Sequence, residues 1–269
     1  MAETPGADHD VRWIDVGGRR LRHRLLGEGG AAIVLVHGFA GSLESWASNQ
    51  AHLAAAGHVV AALDLPGHGE SSLDVGSGSL DELAGAVLGY MDAVGIARAH
   101  LVGHSMGAAA CLVLADRAPG RVRTLTLAGP AGLGQKINAD VIRGLVVAQE
   151  RDELAALLRH LFADPAAVTE DMLERLLAYK RRPGATEALA TIASNRYAGT
   201  PSGRQLREVV GSVPTLLVWG VDDRMIPAPA PGEFVPPRVM ARVLPGAGHM
   251  VQVEAADAFN ELLVAFVRG

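Results

Sequence analysis

Short apolar runs recur along this chain, each closed by a polar or glycine-containing turn, and most are followed by a stretch with helical spacing. Residues 31–36 lack the polar alternation of a half-exposed strand, and 59–63, 99–102, 123–128 and 214–219 are further strand runs. They read as strands of a sheet covered on both faces. Residues 241–244 read as a last strand. Leu80, Leu83, Ala84, Val87, Leu88 and Met91 recur at intervals of three and four, so 79–94 reads as a helix. Residues 44–56, with Ser42 as N-cap, and 108–115 also read as helices. So does 254–267, with Ala258, Leu262, Ala265 and Phe266 expected inward. The runs 11–16 and 21–26 flank Gly17-Gly18 and predict an antiparallel hairpin at one sheet edge. Strands alternating with helices at this spacing predict an α/β chain with a mainly parallel sheet.

The alternation breaks once. From 138 to 211 there are helix patterns and no convincing strand, with candidate helices at 139–150, 152–163, 169–181 and 185–196. Asp152 and Thr169 are the expected N-caps, and Pro165 and Pro183-Gly184 separate helices. An all-helical insert in an α/β chain reads most simply as a cap over the active site. The expected organisation is a loose tail at 1–10, a core at 11–129 and 213–269, and a cap at 130–212.

Composition narrows the function class. The chain has 269 residues, of which 49% are hydrophobic and only 4% aromatic, so helices should pack closely on small side chains. A net charge of −5 and no basic patch with interleaved aromatics argue against nucleic-acid binding. No apolar run is long enough to span a membrane, and the polar N-terminus lacks a signal-peptide core. A cytoplasmic protein is the expectation. The single cysteine, Cys111, falls inside a helix pattern and reads as a small core residue.

The chemistry centres on Gly103-His104-Ser105-Met106-Gly107, between a strand and a helix. A serine there sits on a tight turn with its hydroxyl at the tip of the sheet, and is the candidate nucleophile. It needs a base, and the only histidine beyond the late strands is His249, in a glycine-bracketed loop. The base needs a carboxylate, and the loop after Trp219 offers Asp222 and Asp223, of which Asp223 is preferred. The amides of Met106 and Phe39 are the expected oxyanion donors. Gly38, His104 and Met250 are the residues expected to touch substrate, in a mainly apolar pocket for an acyl group of modest size. His68 reads as a structural loop histidine. His100 and His104 lie four apart on a strand, which does not make a metal pair, and neither a metal nor a nucleotide motif is present. Lys180, Arg181 and Arg182 read as a solvated helix end, with recognition of an acidic partner as the alternative.

Taken together, His37-Gly38-Phe39, the 64–71 loop Asp-Leu-Pro-Gly-His-Gly-Glu-Ser, Gly-His-Ser-Met-Gly, the Asp-Asp-Arg loop and Pro-Gly-Ala-Gly-His resemble the α/β-hydrolase superfamily. The resemblance implies an eight-stranded, mostly parallel sheet, a helical cap and no cofactor, and supports Ser105, Asp223 and His249 as a triad. Leu-Phe-Ala-Asp-Pro at 161–165 and the stretch 246–256 resemble the hydrolase-fold portion of acetoin dehydrogenase dihydrolipoyl acetyltransferases. Those proteins carry a lipoyl domain ahead of this portion, whereas here a ten-residue tail precedes it, so transfer from an attached lipoyl arm is not expected. The Asp-Asp-Arg loop is also similar to that of meta-cleavage product C–C hydrolases, whose acidic substrates want a cation. Arg181, Arg196 and Arg224 are the candidates for it. The expectation is an ester hydrolase on a small-molecule acyl substrate, with self-association left open. C–C hydrolysis or acyl transfer on the same residues, and a non-catalytic binding protein, are the alternatives.

Overall fold

The computed structural model describes residues 11–133, 136–196, 203–230 and 239–269; the expected tail at 1–10 lies outside them. Eight strands form one sheet in the order β1-β2-β4-β3-β5-β6-β7-β8. They are β1 Val11–Val16, β2 Arg19–Leu26, β3 Ala32–Val36, β4 Val59–Leu63, β5 Ala99–His104, β6 Val122–Ala128, β7 Thr215–Gly220 and β8 Val239–Leu244. The hairpin β1–β2 is antiparallel and lies at the edge, β2 meets β4 antiparallel, and all other pairings are parallel.

The unbroken apolar runs explain the layering. Successive side chains of a strand point to opposite faces. Val34 and Val36 therefore join one core cluster, and Ile33 and Leu35 join the other. Helices α2 (Leu80–Ala93) and α3 (Met106–Arg117) fill the first face, while α1 (Ala47–Ala55) packs on the second. The register aligns Val36 with Leu63 and with Gly103, and Gly103 with Leu127. The loops after four neighbouring strands thus leave the sheet at one end. Cys111 is buried within α3, and burial pushes its thiol pKa up.

Between β6 and β7 the described residues form helices and no strand: α4 Ala139–Val147, α5 Arg151–Leu161, α6 Glu170–Lys180, α7 Ala185–Asn195 and α8 Gly203–Val209. Thr169 caps α6 through its hydroxyl to the Met172 N–H, as expected. Asp152 is not an N-cap: α5 begins one residue earlier, with Glu150 in that place, and Asp152 lies in the first turn, where the helix dipole favours it.

The C-terminal segment holds a short helix α9 (Val251–Glu254) and then α10 (Ala256–Arg268). The expected inward face of α10 is corrected in part: Leu262 and Phe266 pack against the second core cluster, half-buried. Phe259, Asn260 and Leu263 are buried, whereas Ala258 and Ala265 are exposed. The displaced stripe has a polar cause. Asn260 is inside because its side chain accepts from Asn49 Nδ2 and donates to the Ser48 carbonyl.

Among the described residues no helix is long and apolar enough to cross a membrane.

Candidate active site

Ser105 stands between β5 and α3 with φ 52° and ψ −114°, a left-handed region that costs a non-glycine residue about 1–3 kcal/mol. The surroundings hold it there. Its N–H donates to the Ala128 carbonyl at 2.9 Å, and its carbonyl accepts from the Ala108 and Ala131 amides at 3.1 and 3.2 Å. The two flanking glycines are required by close approach. A Cβ at Gly103 would lie 2.6 Å from Ala108 Cα, and one at Gly107 would lie 2.4 Å from the Val36 and His37 carbonyl oxygens. Any side chain at either position would push the turn off the sheet.

His249 and Asp223 come from the loops after β8 and β7. Nδ1 of His249 lies 2.8 Å from Asp223 Oδ2, with both side chains buried. The other oxygen, Oδ1, accepts from the Met225 and Ile226 amides at 2.8 Å each. A carboxylate so filled is an acceptor only, so Nδ1 carries the proton and Nε2 is left as the basic nitrogen. Asp222, one residue earlier, is exposed and contributes only its backbone N–H, to Ala247. Of the two aspartates it is Asp223 whose carboxylate meets His249. Gly129, next to the residue that accepts from Ser105, packs against both members of the pair. A Cβ there would lie 3.0 Å from His249 Nδ1 and 3.3 Å from Asp223 Oδ2.

His104 is buried beside this pair. Its Nε2 is 3.0 Å from the His249 carbonyl oxygen, and the two rings lie 4.7 Å apart. Burial holds its pKa well below the usual imidazole value, so it is neutral and donates from Nε2. His37 and His68 are buried nearby, their rings 5.0 Å apart, and burial lowers their pKa values to about 4 and about 3. His37 Nε2 accepts from the Leu65 amide and His68 Nδ1 faces the Pro66 carbonyl, so both histidines hold loops.

A narrow cavity opens at Ser105. Its lining includes Phe39, Leu80, Met106, Ile137, Ile142 and Arg196. The wall is apolar except for Ser105 and Arg196. Of the expected substrate-contacting residues, Gly38, His104 and Met250 are not in this lining. His104 is turned to His249, and Gly38 packs so closely on His104 and Ser105 that a Cβ would lie 2.8 Å from His104 Nδ1.

The basic run is not a solvated end. Lys180 is buried and its ammonium donates to the Leu145 and Val146 carbonyls, at the C-terminal end of α4, where burial lowers its pKa. Arg182 donates to the Gly69 and Ser71 carbonyls. Only Arg181 is exposed. Arg224 donates to the Ala163 carbonyl at 3.1 Å. Of the three arginines considered for substrate, only Arg196 lines the cavity. Sequence spacing could not find these assignments, because each carbonyl partner lies far along the chain.

The family model described as the alpha/beta hydrolase fold matches residues 31–256. A dihydrolipoyllysine-residue acetyltransferase component of an acetoin cleaving system from Pseudomonas putida is 48% identical over 255 residues, covering 94% of this chain and 68% of that protein. A 2-hydroxy-6-oxononadienedioate/2-hydroxy-6-oxononatrienedioate hydrolase from Cupriavidus pinatubonensis is 31% identical over 256 residues, covering 90% of this chain and 88% of that one. Among solved structures, an enol-lactonase from Burkholderia xenovorans superposes with a TM-score of 0.78 at 28% identity, covering 96% of this chain and 100% of that one. With the sheet order, the serine turn and these likenesses together, the chain belongs to the α/β-hydrolase fold family.

Proposed function

We propose that the protein is a serine hydrolase that cleaves a small to medium acyl ester through an acyl-serine intermediate. Ser105 is the nucleophile, His249 the base and Asp223 its orienting carboxylate. The amides of Phe39 and Met106 receive the oxyanion, and the helices within 130–212 act as the cap. The observation that carries this reading is the buried Asp223–His249 pair, whose imidazole packs on His104, the residue before the strained serine turn.

The steps follow from those groups. Nε2 of His249 takes the Ser105 proton as Oγ attacks the ester carbonyl carbon. Negative charge on the carbonyl oxygen goes to the two backbone donors. The intermediate collapses, and the alcohol leaves with the proton from His249. Water, deprotonated by the same nitrogen, then attacks the acyl carbon, and the acid departs with Oγ reprotonated. The apolar lining suits the acyl chain. The enol-lactonase named above acts, by its name, on a cyclic ester.

One observation favours a second reading. Arg196 gives the cavity a cation, which suits a substrate that carries a carboxylate, as the dioate of the similar C–C hydrolase does. The test follows alcohol and acid release separately from a chromogenic ester, with and without a small dithiol. A burst of alcohol followed by free acid, lost in Ser105→Ala, supports ester hydrolysis. Turnover confined to vinylogous diketone acids replaces it with C–C hydrolysis. An acyl-enzyme stable in water that clears onto the dithiol replaces it with acyl transfer, the chemistry named for the Pseudomonas putida relative.

A further inference from the structure

The motif Leu161-Phe162-Ala163-Asp164 takes no part in the chemistry above, yet it meets both loops that bring the acid and the base. The Leu161 carbonyl, at the end of α5, accepts from the His249 amide at 2.8 Å and the Met250 amide at 3.3 Å. The Ala163 carbonyl accepts from Arg224, next to Asp223. The Ala163 amide donates to Glu254 Oε1 at 2.7 Å, with Asp164 N at 3.4 Å from the same atom. The second oxygen of Glu254 accepts from the Gly248 amide at 2.7 Å. One carboxylate therefore holds the residue before His249 with one oxygen and the helical segment with the other.

We infer that Glu254 is a positioning residue: it clamps the His249 loop to the 161–164 segment, so that base and helical segment keep one geometry. The inference rests on the reading of His249 as base. The backbone of His249 is then fixed on both sides, its N–H by Leu161 and its carbonyl by His104. Gly248 before it packs so closely on this segment that a Cβ would lie 2.6 Å from Ala163 N, and Glu254 ties the two amides together there. A merely helix-capping glutamate would need one oxygen and one partner. Here both oxygens are used, on amides from two separate parts of the chain.

The two-sided use makes a sharp substitution. Glutamine keeps the shape but offers one acceptor oxygen, and its NH₂ would face an amide donor. Glu254→Gln must lose one side of the clamp. The experiment measures the rate at which a fluorophosphonate labels Ser105, kcat and KM on the chromogenic ester, the melting temperature, and amide exchange in 161–164 and 246–250. It compares wild type, Glu254→Gln, Ala163→Pro and His249→Ala. The expected result for Glu254→Gln is a fall of about 10- to 100-fold in labelling and in kcat, KM within about twofold, and faster exchange in both segments together. Ala163→Pro, which removes the donor on the other side of the clamp, should move labelling in the same direction. Labelling by both variants within about twofold of wild type, with His249→Ala inactive, overturns the clamp even if melting falls. Wild-type labelling by His249→Ala overturns the base assignment itself, a different failure and a separate observation.

Discussion

The sheet and the helices between β6 and β7 share one core but rely to different degrees on apolar burial and on directed polar contacts. In the sheet, Ile33, Val34, Leu35 and Val36 have no exposed surface at all, and neighbours above and below fill both faces. Helix α5, by contrast, buries only Leu154 and Ala155. The other helices share the core of the sheet through Leu173, Leu177, Leu189 and Ile192, and the region is also fastened by directed polar contacts onto backbone carbonyls. Lys180 holds the end of α4, Tyr179 Oη donates to the Gly67 carbonyl at 2.6 Å, and Arg182 reaches Gly69 and Ser71. Apolar burial is collective, so damage to it is large and spreads. A hydrogen bond is worth about 1 kcal/mol net and can be removed alone. Where such contacts supplement apolar burial, a region can be altered one contact at a time.

The largest expected effect breaks the comparison where the two regions meet the chemistry. Asp223→Asn should lower kcat by about 10⁴-fold with little change in stability, because an amide cannot fix the same His249 tautomer. Asp222→Asn should stay within about twofold, since its side chain is exposed. Steady-state kinetics on both variants reads the difference, and equal losses would break the assignment.

A smaller effect sets sheet against helices directly. Leu35→Ala should cost about 2–5 kcal/mol in urea unfolding, and Tyr179→Phe about 1 kcal/mol. Equal costs would show that a polar contact of the helical region counts for as much as core burial in the sheet.

The smallest effect is on pH. The pKa values of His37 and His100 are lowered to about 4 by burial, both in the sheet and its loops. A depressed imidazole pKa means the unfolded chain binds the proton first. Stability is therefore complete above about pH 6.5 and falls between there and about pH 4, by at most about 1.4 kcal/mol per pH unit for each such group. Urea midpoints at pH 7 and 5 measure it. A midpoint that rises on acidification would mean that these rings are not held neutral.

Local pattern reached most of this architecture. The buried strands are legible because a sheet covered on both faces favours short, mostly apolar runs, and Ser105 because its glycines mark a turn that other residues do not fit. His249 was reached by its place after the last strand. What pattern could not reach were contacts closed through the fold. Asn260 reads as a surface residue until Ser48 and Asn49 are brought beside it. Lys180 and Arg182 read as solvated until the carbonyls of α4 and of the 64–71 loop appear. Asp222 and Asp223 are neighbours of one type, and only the direction of the turn separates them.

The lone thiol of Cys111 has a practical consequence. It sits inside α3 with no exposed surface, and its pKa is raised, so maleimides and disulfide reagents will find no thiolate on the folded protein. The native chain is in effect a cysteine-free background. A single Arg181→Cys at the exposed end of α6 would accept one fluorophore without any prior replacement, so motion of the helical region against the sheet can be watched in an otherwise wild-type protein.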